Sequence, residues 1–126
     1  MLSVASAILL RPLPGLAEPG RLVDVGRSSG GGPASFDTVS YPNYADVRDR
    51  VTTLTGVYAH QLEPTPMSLG GRGEAERIYG TLVSGNYFET LGARPALGRL
   101  LRPDDDVRGG EAAVTVISHD LWTRRF

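Results

Sequence analysis

The polarity pattern changes several times along the chain. Residues 1–10 form an uncharged, mostly apolar run, closed by Arg11, Pro12 and Pro14. As a helix, ten residues reach about 15 Å, half of what the roughly 20 residues of a membrane span provide. The run is therefore not a complete span. It is also a poor signal peptide, because the positive charge follows the apolar stretch instead of preceding it. Pattern alone leaves two readings: an apolar terminus packed on the domain, or the outer half of a membrane helix.

Pro12, Pro14 and Gly15 stop a helix and begin an extended connector. Residues 21–25 read as a first short strand, and the glycine- and serine-rich residues 26–35 as a flexible loop. Gly30, Gly31 and Gly32 do not have the strand–loop–helix spacing of a phosphate cradle. Tyr41, Tyr44, Val47, Val51 and Leu54 recur at spacings of three and four, which predicts a helix with one apolar stripe. Pro42 suits its first turn, where a missing N–H costs nothing. Asp46 and Arg50 are placed to pair at i,i+4.

Residues 56–60 read as a strand, and Pro64 and Pro66 interrupt it. Residues 67–69 and 75–83, joined by the glycines of residues 70–73, predict a β-hairpin. Asn86 and its neighbours cap a short helix over 87–91, and Gly92 ends it in the left-handed conformation. Residues 112–118 are the strongest strand signal, apolar enough for a central position. Ser118 caps a last helix over 119–126, in which Leu121, Trp122 and Phe126 are expected to be buried. That helix ends after barely two turns with the only tryptophan on it, which points to a truncated domain.

Composition narrows the chemistry. The 126 residues make one domain or part of one. Thirteen basic and 14 acidic residues give a net charge of −1, which lacks the basic footprint of a nucleic-acid binder. There is no cysteine, hence no disulfide, thiolate zinc site or cysteine nucleophile. There is no lysine either, which excludes a P-loop ATPase and Schiff-base chemistry. His60 and His119 stand far apart without a second ligand at i+3 or i+4. Asp104, Asp105 and Asp106 lack the alternating ligands of a calcium loop and read as a solvated turn. No nucleophile elbow or paired-carboxylate arrangement is present. No residue is singled out as catalytic, cofactor-binding or metal-ligating, and the expectation is a protein that is not an enzyme and carries no cofactor.

Five segments in order carry a resemblance. They are Ile8-Leu-Leu-Arg-Pro-Leu-Pro14 with Arg21-Leu-Val23, Ser40-Tyr-Pro-Asn-Tyr44, Val83-Ser-Gly-Asn-Tyr-Phe88, Leu91-Gly-Ala-Arg-Pro-Ala-Leu-Gly-Arg99, and Val116-Ile-Ser-His-Asp-Leu-Trp-Thr-Arg-Arg-Phe126. Together they resemble the MacB-like periplasmic core domain of bacterial ABC-transporter permeases in the FtsX-like superfamily. The similarity is strongest to the duplicated permeases of acidobacterial type. Each segment is weak alone, and the order of five is specific.

The resemblance implies an α+β fold, a mixed sheet with short helices packed on it, here the N-terminal part of the domain and incomplete. It implies that residues 1–14 are the end of a membrane helix and its juxtamembrane connector, and that residues 15–126 are the N-terminal portion of the core domain. The expected location is the cell (inner) membrane, with the domain on the periplasmic side. The expected partners are the membrane, a cytoplasmic ABC ATPase subunit reached through the membrane helices, and a second permease copy. The role implied is a non-catalytic relay of motion during export or lipid and lipoprotein handling. Two other readings stay open: a free-standing soluble α+β binding module, and a small hydrolase that would depend on His119.

Overall fold

The computed structural model describes residues 19–28, 36–71, 74–106 and 114–126. The expected membrane-proximal segment, residues 1–14, and the triple glycine lie outside the described residues. Among those described, no helix is long and apolar enough to cross a membrane.

The chain is α+β. A 3-10 turn, Pro19–Arg21, precedes a two-residue antiparallel ladder of β1 (Arg27–Ser28) and β2 (Phe36–Asp37). Helix α1 (Tyr41–Arg50) follows, then the hairpin β3 (Thr65–Leu69) and β4 (Glu76–Gly80), helix α2 (Tyr87–Thr90), a 3-10 turn at Pro103–Asp105, and helix α3 (His119–Arg125). Within the α+β class, both ladders among the described residues are antiparallel pairs.

The hairpin stands where the alternation placed it. Met67 faces Ile78 and Leu69 faces Glu76 across the ladder. Pro66 is accommodated inside β3 opposite Tyr79, since a two-stranded ribbon leaves each strand an outer edge that needs no N–H. The pairing resumes beyond it. His60 bridges Val83, Gln61 N–H donates to the Leu82 carbonyl at 2.8 Å, and Ser84 N–H donates to the Ala59 carbonyl at 2.8 Å. The strand expected at 56–60 is thus reduced to one bridge with its flanking bonds.

Three other expectations are corrected. Residues 21–25 do not form a strand, and the ladder begins only at Arg27. Residues 114–118 carry no ladder. In both places β-branched composition favours strand, but a strand exists only where another pairs with it, and propensity cannot supply the partner. The last helix is not an apolar anchor: Trp122 is 39% and Phe126 77% exposed, and none of its residues is buried.

Helix α1 stops at Arg50. Val51 leaves the helical region at φ −81°, ψ 122°, and its N–H closes the last turn on the Val47 carbonyl. Val51, Thr52 and Thr53 are all β-branched and lose χ1 freedom in a helix, so the stripe does not carry on to Leu54. Gly92 takes φ 65°, the left-handed conformation, directly after α2. The buried positions among the described residues are few. They centre on Tyr44 and Leu91 with Ser84 and Gly85.

Candidate functional site

The densest arrangement of polar side chains gathers where α1, residues 57–59 and residues 84–86 meet. Tyr44 lies on the inward stripe of α1, one turn after Tyr41, and is 6% exposed. A buried phenol needs a partner for its O–H, and Tyr44 Oη donates to Asn86 Oδ1 at 3.1 Å. Asn86 Nδ2 donates to the Val57 carbonyl at 2.8 Å. Ser84 Oγ donates to Asn86 Oδ1 at 2.7 Å and accepts from Ala59 N–H at 2.9 Å. Each group is used in its proper role, so this partly buried polar network is satisfied throughout.

A second tier rests on the turn over residues 102–106. Asp106 Oδ2 accepts from Tyr41 Oη at 3.0 Å and from Gly85 N–H at 3.3 Å. Gly85 packs directly against the Arg102 carbonyl, where a Cβ would collide with it. Asp105 is turned the other way. Its two oxygens take a fork from Arg99, at 2.6 and 2.8 Å, and Oδ2 also accepts from Arg102 N–H at 2.8 Å. The Arg99 guanidinium, and after it the Arg102 N–H, hold the Asp105 carboxyl down at about 2. Burial, and then the hydrogen bond to Asp106, push the Tyr41 phenol up.

The aspartate turn is therefore a fastening and not a merely solvated turn. One aspartate closes its own loop, and the next ties that loop to α1 and to Gly85. Composition hid this role, since three adjacent carboxylates look like a solvated run. A usable signal was present in Arg99, six residues before Asp105, at the end of the Leu-Gly-x-x-Pro-x-x-Gly-Arg stretch.

The hydrogen bonds tie α1, residues 84–86 and the 102–106 turn to one another. Ser84 Oγ is spent on Ala59 and Asn86. His60 is exposed on the bridge to Val83, with Nδ1 3.0 Å from the Gln61 carbonyl oxygen. His119 is exposed at the start of α3, its ring 5.6 Å from that of Trp122. Among the described residues no group of three or more His, Asp or Glu side chains is placed to hold a metal ion. Tyr58, Tyr87 and Phe88 form an edge-to-face run, with ring centroids 4.9 and 5.1 Å apart, and burial raises the Tyr58 phenol. A broad open groove runs between residues 21–26, α1 and residues 53–62, with Val23, Val25, Leu54, Val57 and Leu62 on its walls.

Compared with known proteins, the chain matches one family model, described as the MacB-like periplasmic core domain, over residues 1–126. No curated protein and no solved structure matches it.

Proposed function

The chain belongs to the MacB-like periplasmic core domain family, and on that premise we propose that it relays motion, without catalysis of its own, between the membrane helices and the periplasmic side of an ABC transporter permease. The family makes the chain an extracytoplasmic part of such a permease. In the proposal residues 1–14 are the end of a membrane helix and its connector, and residues 15–126 belong to the domain proper. A cytoplasmic ATPase subunit supplies the power stroke from the far side of the membrane.

The observation that supports a relay is the doubled fastening of α1. Tyr41 and Tyr44 stand one turn apart on the helix and are tied respectively to Asp106 and Asn86. Asp106 in turn holds Gly85 N–H, next in sequence to Asn86. The ring of bonds closes on itself, so α1, residues 84–86 and the 102–106 turn move as one body. A satisfied polar network fixes orientation in a way that apolar contact alone does not, and a relay needs a stiff body between its points of attachment.

The test uses the complete transporter. Asn86→Ala and the pair Tyr41→Phe with Asp106→Ala open the ring at different places. Both are expected to leave nucleotide hydrolysis by the ATPase subunit running while lowering the transport obtained per ATP. Unchanged transport per ATP in both variants would refute the relay.

A further inference from the structure

The β3–β4 ribbon does not reach its root in one register. At the end of the ladder Thr65 faces Gly80. Nearer the root, Gln61 N–H reaches the Leu82 carbonyl and His60 bridges Val83. Between these rungs Leu62, Glu63 and Pro64 stand opposite Thr81 alone, two residues more than the pairing needs. A bulge of this kind leaves residues unpaired and interrupts the ladder locally. Because the excess is even, the alternation of faces is the same on both sides of it. All four residues are exposed.

The two sides of the bulge differ. Toward the root, Ser84 N–H bonds the Ala59 carbonyl, Ala59 N–H bonds Ser84 Oγ, and Ser84 Oγ bonds Asn86. The ribbon there is continuous with the Tyr44 network. Toward the tip, β3 and β4 pair without a break from Thr65 and Gly80 to Leu69 and Glu76. One side-chain bond spans the longer arm of the bulge, from Gln61 Nε2 to Thr65 Oγ1 at 2.8 Å. The other end of that amide, Gln61 Oε1, is buried without a partner among the described residues. A buried acceptor left unpaired costs about as much as a neutral hydrogen bond gains, so the strap does not lock the bulge. The bonds that Arg124 and Arg125 make to Glu76 and to the Glu74 carbonyl join α3 to the hairpin and leave the bulge unbraced.

We propose that the bulge is a joint, on which the β3–β4 hairpin swings as a lever against the body formed by α1, residues 84–86 and the 102–106 turn. Residues at the ends of elements absorb the torsional change in such a motion, and here they are residues 62–64 and 81. The covalent chain keeps the lever attached, so no side-chain contact has to hold it. Pro64 limits the swing, since its ring fixes one torsion of the longer arm. The joint is a property of the fold and does not rest on the relay.

The register shows how to remove it. Deleting Leu62 and Glu63 brings Pro64 opposite Thr81 and leaves one unbroken ladder from the root to the tip. Pro66 has no N–H, so its pair with Tyr79 is a non-hydrogen-bonded one. Alternation makes Pro64 with Thr81 another such pair, and the fused ladder asks no N–H of either proline.

The sequence contains no cysteine, so nitroxide labels on introduced thiols report chosen distances by pulsed electron spin resonance. Asn43→Cys with Ser68→Cys spans the joint, and Asn43→Cys with Asp104→Cys stays within the fastened body; all three positions are exposed. In the 126-residue chain the spanning pair is expected to give a distance distribution about twice as broad as the internal pair. Deleting Leu62 and Glu63 is expected to narrow it to the width of the internal pair, which itself stays unchanged. Equally narrow distributions for both pairs in the undeleted chain would overturn the proposal. So would a broad distribution that the deletion leaves broad while the internal pair stays narrow. The comparison of the two pairs in the undeleted chain decides the matter where the shortened chain fails to fold.

Discussion

Tyr44 and Asn86 are separated by 42 positions in sequence and joined by a 3.1 Å hydrogen bond from phenol to amide oxygen. The bond connects a helix chosen by its apolar stripe to Asn86, which stands before α2 but makes no side-chain cap there and instead bonds Tyr44, Ser84 and Val57. Removing the hydroxyl alone, in Tyr44→Phe, leaves Asn86 Oδ1 its bond from Ser84 and should cost about 1 kcal/mol. Tyr44→Ala removes a 6% exposed ring and should cost about 3–5 kcal/mol. Urea unfolding of the two variants checks the gap between them.

Gly85 sits against the Arg102 carbonyl with no room for a Cβ. The obstacle is backbone on both sides, so neither partner yields by rotating a side chain. Gly85→Ala is expected to cost about 1–3 kcal/mol, the usual range for overpacking. Gly70, with open space around it, serves as the control, and Gly70→Ala should stay within about 0.5 kcal/mol.

Asp105 and Arg99 give a pH prediction with a definite sign. The carboxyl is held at about 2, below its ordinary value of 3.8. A depressed folded value means the unfolded chain takes up the proton first as the pH falls. The stabilisation is therefore complete above about pH 4 and disappears as the pH drops through about 2. In Arg99→Gln the Asp105 titration, followed by carboxyl NMR, should move up toward 3.8.

Trp122 was expected in the core and stands 39% exposed. Its replacement by alanine should accordingly cost about 1 kcal/mol or less, far from the several expected for a core tryptophan. Ser118→Ala removes the cap that Leu121 N–H uses at 3.2 Å and should lower the stability of α3 by about 1 kcal/mol. Amide exchange across residues 121–126 measures both.

Several local signals in the sequence are borne out, though Asn86 spends its side chain elsewhere and does not cap α2. Ser118 caps α3, Gly92 turns left-handed after α2, and Pro42 falls in the first turn of α1. Asp46 and Arg50 approach at 3.6 Å along that helix. The hairpin was legible because its two arms are close in sequence and their alternation fixes the register. The strand at 21–25, and the described part (114–118) of the one expected at 112–118, are absent because their evidence was composition, and composition is silent about partners. The polar node was half legible. Tyr44 was placed inward by periodicity, but its meeting with Asn86 depends on a long-range approach that no spacing rule encodes. Asp105 and Asp106 were hidden for the same reason: their partners Arg99, Tyr41 and Gly85 lie in three different segments.

The central claim is that this chain is an extracytoplasmic part of an ABC permease. Leu97 is highly exposed, and the sequence contains no cysteine, so Leu97→Cys places one thiol in this chain at its surface. In intact cells carrying the complete permease, a thiol reagent that cannot cross the inner membrane should label the introduced thiol from the periplasm. The same labelling should be found with or without cell lysis. Labelling only after the inner membrane is broken would put the domain on the wrong side and contradict the account.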